Sequence, residues 1–216
     1  MSADGVIFDF DGTLLDSAEA WNGVAERYLE ELSVPCEEGL SLKISRLSFA
    51  EGADYIRRTY LPDRTISQVE RGIIAVVEHG YRESLPLRDG AEELLKLLRA
   101  ANIPMCVATS NTGGLVKSAL RRLNIDGYFV AVITSDEVAV GKESPEIYLE
   151  AARRMGGKVS NTWVVEDSPH AIATAKRAGF KVAAVCDRKT DKIFQSADFI
   201  IDSAKRFAAL SEEIIK

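Results

Sequence analysis

Two aspartates at the end of a short apolar run are the first residues whose types and spacing suggest chemistry. Val6, Ile7 and Phe8 are typical of a buried parallel strand, and Asp9 and Asp11 follow at once. Residues two apart on an extended chain lie on the same side, so both carboxylates are predicted to face one cleft. There they would repel each other by about 4 kcal/mol at roughly 4 Å and an effective dielectric of about 20. A proton on one carboxylate, a divalent cation between them, or both would offset this repulsion.

The same stretch also fits a purely structural turn, because Asp and Gly are common turn residues. A calcium loop of the EF-hand type starts with Asp-x-Asp too, but it needs Gly at its sixth position and Glu at its twelfth. Those positions hold Leu14 and Ala20, which excludes that loop.

Further polar residues follow other predicted strands. They are Thr109, Ser110 and Asn111 after one strand, Lys142 in the loop after the next, and Glu166, Asp167 and Ser168 after a third. Each could merely cap a helix or be a solvated charge. In open parallel sheets, however, ligands bind beyond the carboxyl ends of the strands, so these residues are predicted to meet at one edge.

Phosphoryl transfer is the chemistry that such an edge suits. Carboxylate oxygens match Mg²⁺, and a lysine with hydroxyl and N–H donors can hold phosphate oxygens. An aspartate can attack phosphorus, and a second acid can protonate the leaving oxygen. Neither His79 nor His170 falls at a predicted strand end.

The elements that must position these residues change in type along the chain. Apolar periodicity predicts helices at 18–32, 38–47, 50–60 and 67–83, and then helices that alternate with strands. The later strands are predicted at 104–109, 129–133, 162–165, 181–185 and 199–201. This pattern predicts an α/β fold with a doubly wound, Rossmann-like parallel-sheet core, formed by residues 1–15 and 86–216. Residues 16–85 are predicted to form an inserted α-helical cap domain.

Composition is that of an ordinary globular protein of 216 residues, with 46% hydrophobic and 28% charged residues. A formal net charge of −6 argues against a nucleic-acid partner, and the sequence contains no apolar run long enough to cross a bilayer. Cys36, Cys106 and Cys186 are scattered, which does not suggest a metal site. The N-terminus lacks the pattern of a signal peptide, so we expect a cytoplasmic protein without a membrane partner.

Four stretches resemble the motifs of the haloacid-dehalogenase-like (HAD) phosphatases, in the right order and spacing. They are residues 8–17 (FDFDGTLLDS), 108–111 (ATSN), 141–142 (GK) and 165–169 (VEDSP). The helical insertion directly after the first motif resembles the cap of the phosphoglycolate-phosphatase and β-phosphoglucomutase branch. The ordered set is far more specific than any single motif.

The resemblance implies roles for individual residues. Asp9 would be the nucleophile that forms an aspartyl-phosphate, and Asp11 the general acid/base. Phosphate would be bound by Thr109 and Lys142, with Ser110 and Asn111 close by. Mg²⁺ would be held by Asp9, the backbone carbonyl of Asp11, Asp167 and, directly or through water, Glu166. Dehalogenases and phosphonate-cleaving members resemble the pattern but carry another residue at the position of Asp11, so the intact pair favours phosphate esters.

Some positions depart from the family pattern or have no clear counterpart in it. Glu143 stands where the family usually has proline after the motif lysine, and Ala171 where it favours glycine. In the predicted cap, Lys43, Ser45 and Arg46 are candidates for contacts with the substrate, although a solvated helix face is the alternative.

The sequence therefore predicts a Mg²⁺-dependent phosphatase that acts on a small phosphorylated metabolite, such as a phosphoglycolate- or sugar-phosphate-like compound. A β-phosphoglucomutase-like phosphomutase is the first alternative, because its first half-reaction is the same. A non-catalytic binding or regulatory protein on the same fold is the second. Either a monomer or a homodimer fits the sequence.

Overall fold

A computed structural model describes residues 2–44, 47, 49–138, 141–186 and 194–216. The chain divides into two compact units. One consists of Met1–Asp16 and Pro86–Lys216, and the other of Ser17–Leu85. The first is an α/β unit; the described residues of the second form helices and connecting turns.

The second unit contains five helices in the part of the chain that is described. They are α1 (Ala18–Trp21), α2 (Val24–Glu31), α3 (Leu40–Ile44), α4 (Phe49–Tyr60) and α5 (Ile66–Glu83). α5 begins with a capping box, in which the Thr65 hydroxyl accepts the N–H of Gln68 and the Gln68 side chain accepts the N–H of Thr65. The buried residues of α5 recur every four positions, so one face of this helix packs inward against α2 and α4.

The single helix predicted at 18–32 is wrong, because the structure has two helices there. Gly23 has a φ of 63°, in the left-handed region that glycine adopts without strain, and it separates α1 from α2. Apolar periodicity continues through this break, which is why the pattern suggested one helix.

A six-stranded sheet forms the centre of the first unit. Its strands are β1 (Gly5–Phe8), β2 (Met105–Thr109), β3 (Ala131–Thr134), β4 (Thr162–Glu166), β5 (Lys181–Val185) and β6 (Phe199–Ile201). All neighbours are parallel, in the order β3-β2-β1-β4-β5-β6, so β1 lies between β2 and β4. Every residue of β1, β2 and β4 is buried, as expected for parallel strands covered on both faces. The predicted α/β fold with a parallel sheet is confirmed.

Helices follow the strands of this unit and cover the sheet. They are α6 (Ala91–Ala100), α7 (Gly113–Arg122), α8 (Ser135–Val138), α9 (Glu146–Met155), α10 (Pro169–Ala178) and α11 (Ala204–Ile215). Side chains of α9 and α10 form a buried cluster with alternate residues of β1, β2 and β4, including Ile7, Cys106 and Val164. Cys106 and Cys186 are buried free thiols. Among the described residues, no helix combines the length and the hydrophobicity that crossing a membrane requires.

Candidate active site

The turn after β1 places the two aspartates at the carboxyl end of the central strand. Asp9 still donates its N–H to the carbonyl of Val165 at 2.9 Å, which continues the pairing with β4 by one residue. Gly12 then has a φ of 78° and donates its N–H to the carbonyl of Leu15 at 3.0 Å. The chain thus turns back immediately after Asp11, as the glycine in the motif predicts.

Lys142 contacts two carboxylates in the interior of this edge. Its Nζ donates to Oδ1 of Asp9 and, at 2.5 Å, to Oε1 of Glu166. The exposed fractions of Asp9, Lys142 and Glu166 are only 5%, 8% and 0%, so the ion pairs are largely shielded from solvent. Each charge is therefore strongly coupled to the others.

The carboxylate of Glu166 accepts three further hydrogen bonds. The Tyr148 hydroxyl donates to Oε1 at 3.1 Å. The backbone N–H groups of Asp167 and Ser168 donate to Oε2 at 2.8 and 2.9 Å. Glu166 thus joins the end of β4, the loop that carries Lys142, and the first turn of α9.

Asp167 lies against the turn after β1. A Cβ atom built on Gly12 would collide with Oδ2 of Asp167, so only glycine allows this approach. One carboxylate oxygen from each of Asp9, Glu166 and Asp167 lies within 4.8 Å of the other two. Three hard oxygen donors at this spacing fit Mg²⁺, which takes carboxylates from protein and completes its shell with water or phosphate.

The pKa shifts in this cluster are consistent with a cation-binding site. Burial raises the pKa of Asp9 well above its usual value despite the opposing effect of Lys142. Burial, with Glu166 as the next cause, also raises the pKa of Asp167, to about 7. Burial disfavours the Lys142 ammonium, but Asp9 and Glu166 outweigh it and raise the pKa of this lysine. Three acids face one ammonium, so the site is short of positive charge, which a divalent cation would supply.

The loop after β2 approaches Asp11. The Asn111 amide donates from Nδ2 to Oδ2 of Asp11 at 2.8 Å, and the Asn111 N–H donates to Oγ1 of Thr109 at 3.0 Å. Thr109 is buried, whereas Ser110 is exposed and lies 3.4 Å, between hydroxyl oxygens, from Ser135. Of the residues predicted to bind phosphate, Asn111 thus contacts the predicted acid/base.

Of the three residues of the helical unit predicted to contact the substrate, one has partners at the surface of that unit and two lie outside the described residues. The Lys43 ammonium pairs with Glu37 at 2.7 Å and lies 5.1 Å from the centre of the Tyr55 ring, with half of its side chain exposed. This is the arrangement of a solvated helix face. Ser45 and Arg46 lie outside the described residues.

Two further residues, Glu143 and Tyr148, bear on the surroundings of Lys142. Glu143 is exposed, and its carboxylate lies close to Gly141, where a Cβ atom would collide with it. Tyr148 was missed by sequence reasoning, because it does not follow a predicted strand and its spacing on α9 is that of the buried helix face. The one signal was its hydroxyl, six residues after Lys142.

Comparisons with known proteins agree with these observations. The family model of the haloacid dehalogenase-like hydrolases matches residues 3–179. A phosphorylated carbohydrates phosphatase of Thermotoga maritima is 28% identical over 178 residues, which span 82% of either chain. A phosphoglycolate phosphatase of Neisseria meningitidis is 31% identical, over 81% of this chain and 76% of its own.

Comparison of the fold with solved structures supports the same family. The crystal structure of a T. maritima protein, provisionally assigned as a β-phosphoglucomutase, superposes with a TM-score of 0.81. It is 25% identical and covers 97% of this chain and 99% of its own. The family and the enzyme class expected from the motifs are confirmed. The chain belongs to the haloacid dehalogenase-like hydrolase family.

Proposed function

We propose that the protein is a Mg²⁺-dependent phosphatase that hydrolyses a small phosphorylated metabolite through an aspartyl-phosphate on Asp9. One observation carries this proposal: the buried cluster of Asp9, Lys142, Glu166 and Asp167 at the ends of β1 and β4. It combines a nucleophile, a fixed positive charge and ligands for a cation. The relatives named above are phosphatases of phosphorylated carbohydrates and of phosphoglycolate.

In the first step, a carboxylate oxygen of Asp9 attacks phosphorus while the bond to the ester oxygen breaks. Asp11 gives a proton to the leaving oxygen, so the alcohol departs neutral. In the second step, Asp11 takes a proton from water, whose oxygen attacks phosphorus and displaces Asp9. The hydrogen bond from Asn111 would keep the Asp11 carboxyl oriented during both transfers.

The other residues would bind and neutralise the transferring group. Lys142 contributes a charge that is already present before the substrate binds. Thr109, Ser110 and Asn111 supply hydroxyl, amide and N–H groups at the carboxyl end of β2. Asp9, the Asp11 carbonyl and Asp167 would hold Mg²⁺, with Glu166 as a further ligand, directly or through water. Bound Mg²⁺ would stabilise negative charge on the phosphoryl oxygens.

The helical unit would act as a cap that selects the leaving group and excludes bulk water. It contains a cavity of about 290 Å³, lined mainly by apolar side chains of α1, α2, α3 and α4. The substrate class, phosphoglycolate- or sugar-phosphate-like or otherwise, would then depend on what this unit accepts.

A phosphomutase is the second candidate, favoured by the structural likeness to the provisional β-phosphoglucomutase. Both reactions share the aspartyl-phosphate, and they differ in whether water or a second substrate hydroxyl accepts the phosphoryl group. Incubation with a hexose 1-phosphate separates them, since a mutase yields the 6-phosphate and a phosphatase yields inorganic phosphate.

The proposal is tested by phosphate release from a panel of phosphorylated metabolites, with Mg²⁺ and with chelator, beside Asp9→Asn. We expect release that requires both Mg²⁺ and Asp9. Release by folded Asp9→Asn at the wild-type rate, or no release from any compound, would contradict the proposal.

A further inference from the structure

The cavity in the helical unit has the size and the lining of a site for one small apolar group. Its volume is about 290 Å³, and residues of α1 to α5 line it. Of the described residues in its wall, only Ser41 and Trp21 carry polar side-chain atoms. An apolar cavity of about 150 Å³ stays dry and binds benzene. This cavity therefore has room for one six-membered ring with a short substituent.

The polar atoms of these two side chains are already bonded to protein. The Ser41 hydroxyl donates to Oε2 of Glu26 and accepts the N–H of Ala25 at 3.0 Å. Oε1 of Glu26 accepts the N–H of Ser41 at 2.9 Å, which fixes the first turn of α3 against α2. Trp21 Nε1 donates to the Tyr81 hydroxyl. A ligand that needs hydrogen bonds would find few partners in the cavity, whereas an apolar ring needs none.

Two aromatic rings form part of the wall. Those of Trp21 and Phe49 pack edge to face, with 6.1 Å between their centres and 89° between their planes. Aromatic pairs prefer this arrangement or an offset stack, and they gain more than the burial of their area alone provides. The wall thus favours an aromatic ring over an aliphatic group of the same volume.

Apolar side chains are also exposed at this cavity. Phe49 and Leu47 line it and are 45% and 43% exposed. Leu42, on α3, is 79% exposed and lines a second cavity that shares Trp21 and Ser41 with the first. Clustered apolar side chains at a protein surface mark places where ligands or partners bind. A ring can therefore enter from a surface that is itself apolar.

We propose that the helical unit binds one aromatic ring in this cavity, against Trp21 and Phe49. The ring belongs either to the leaving group of a phosphorylated aromatic substrate or to a separate aromatic molecule, and the last experiment below distinguishes these sources. The first source rests on the proposed function, whereas the binding of a ring does not.

The first test measures binding by ¹⁹F NMR. The intact chain is titrated with 4-fluorobenzyl alcohol as the aromatic probe and, separately, with 3-fluoro-1,2-propanediol as a small polyol. We expect a saturable shift of the aromatic signal and none of the polyol signal. Absence of a saturable shift for the aromatic probe, or equal affinity for the polyol, would overturn the inference.

Two substitutions of a helical glycine by leucine place this binding in the cavity. Gly52→Leu would fill it, because a Cβ at Gly52 is directed at Ile44 in the cavity wall. Gly114→Leu is the control, since Gly114 is exposed on α7 and no atom lies within 4 Å of a Cβ built there. Gly52→Leu should weaken binding of the aromatic probe at least about 10-fold, and Gly114→Leu should leave it unchanged.

A second pair keeps the test independent of how well Gly52→Leu folds. Phe49→Ala removes a half-exposed ring from the wall and should weaken binding of the probe about 10-fold. Ile66→Ala truncates a residue of similar exposure, 38%, that is not in the cavity wall, and should not weaken it. Unchanged binding in Phe49→Ala and in folded Gly52→Leu would overturn the inference.

Displacement of the probe distinguishes the two sources of the ring. If the ring belongs to the substrate, benzyl phosphate should displace the probe from Asp9→Asn with Mg²⁺ at a concentration at least about 10-fold lower than benzyl alcohol does, because the contacts of the phosphate add to those of the ring. Equal concentrations would assign the ring to a separate molecule. No titration needs turnover, so a wild-type protein that binds the probe but hydrolyses nothing would contradict the proposed function alone.

Discussion

At the residue scale, one ammonium compensates two buried carboxylates. Replacing Lys142 by methionine keeps the length of the side chain but leaves Asp9 and Glu166 without their cation. Removing one partner of a buried pair costs about 3–5 kcal/mol, because the remaining charge stays desolvated. We therefore expect Lys142→Met to lower the free energy of unfolding by about 3–5 kcal/mol in chelator, measured by urea denaturation.

The matched control is Lys96→Met, which removes an exposed helical ion pair with Glu92 in the same unit. Exposed pairs contribute little, so this variant should unfold close to the wild type. Equal destabilisation of the two variants would mean that the buried cluster does not depend on Lys142.

Gly12 is the residue whose lack of a side chain lets Asp167 approach the first turn. Gly12→Ala would strain a backbone with a φ of 78° and push the Asp167 carboxylate away. We expect Mg²⁺ affinity to fall about 10-fold, as measured by calorimetry, since a ligand is displaced.

Gly156→Ala separates these two effects. Gly156 has a φ of 72°, but no atom lies within 4 Å of a Cβ built there. It should show the backbone cost alone, about 1–2 kcal/mol of stability, with unchanged Mg²⁺ affinity. Unchanged Mg²⁺ affinity in Gly12→Ala as well would argue against Asp167 as a ligand.

The metal-free acids predict a pH dependence of Mg²⁺ binding. Burial and neighbouring acids raise the pKa of Asp167 to about 7 and also raise that of Asp9. A protonated carboxyl must lose its proton before it coordinates, so affinity should rise as the pH increases through 7, with release of protons. Calorimetry in two buffers of different ionisation enthalpy measures that release; pH-independent affinity without proton release would contradict the prediction.

Sequence reasoning predicted most of the buried cluster, since Asp9, Lys142, Glu166 and Asp167 were all placed at or beyond strand ends. The rule that ligands bind at the carboxyl edge of a parallel sheet was sufficient for that. It could not predict the hydrogen bonds of Glu166, because they depend on the side-chain position of Tyr148, a residue whose spacing matches the core face of α9. The catalytic roles themselves stay predictions.

At the element scale, the predicted bounds of the strands and helices differed in accuracy. The strands predicted at 181–185 and 199–201 have the observed bounds, and the second of them lies between Asp198 and Asp202. The strand predicted at 129–133 begins two residues later in the structure, after a short 3₁₀ turn. Periodicity did not reveal the break at Gly23, since a left-handed glycine interrupts a helix without changing its apolar spacing.

The cavity in the helical unit has polar groups with partners of their own. Trp21 Nε1 donates to the Tyr81 hydroxyl at 2.9 Å, and the Ser41 hydroxyl donates to Glu26 and accepts the N–H of Ala25. A ligand rich in hydroxyls would find few partners there, which costs binding free energy. If this unit selects the leaving group, an apolar group should be preferred.

We expect benzyl phosphate to be hydrolysed with a higher kcat/KM than glycerol phosphate. Gly52→Leu would fill the cavity, since a Cβ at Gly52 is directed at Ile44, which lines it. This variant should lower kcat/KM for benzyl phosphate about 10-fold more than for glycerol phosphate. Ala75→Leu, on an exposed position of α5, is the control; a preference unaffected by Gly52→Leu would exclude the cavity from substrate selection.

At the scale of the whole molecule, the chain leaves the α/β unit and returns to it at neighbouring points. Asp16 donates its N–H to the carbonyl of Pro86 at 2.9 Å, and Arg88 donates its N–H to the carbonyl of Leu14 at 2.8 Å. These two hydrogen bonds join the segments of the α/β unit that precede and follow the insertion. The change from helical to alternating pattern near residue 86 is the basis on which an insertion at 16–85 was predicted, and its role as a cap stays a prediction.

The sequence pattern could not predict the order of the strands in the sheet. Alternating helices and strands predict parallel neighbours and right-handed crossovers, but several orders satisfy that rule. The observed order places β1 between β2 and β4, and it therefore brings the first, second and fourth motifs to adjacent strand ends. The site depends on this arrangement more than on the bounds of any one element.

The most direct test of the account is whether Asp9 carries a phosphoryl group during turnover. Enzyme mixed with its best substrate and Mg²⁺ would be quenched rapidly in acid, digested and mapped by mass spectrometry. We predict one phosphoryl group on the peptide that contains Asp9, absent with chelator and absent in Asp9→Asn. Full turnover with no phosphorylated aspartate at any quench time, together with an active Asp9→Asn variant, would contradict the central claim.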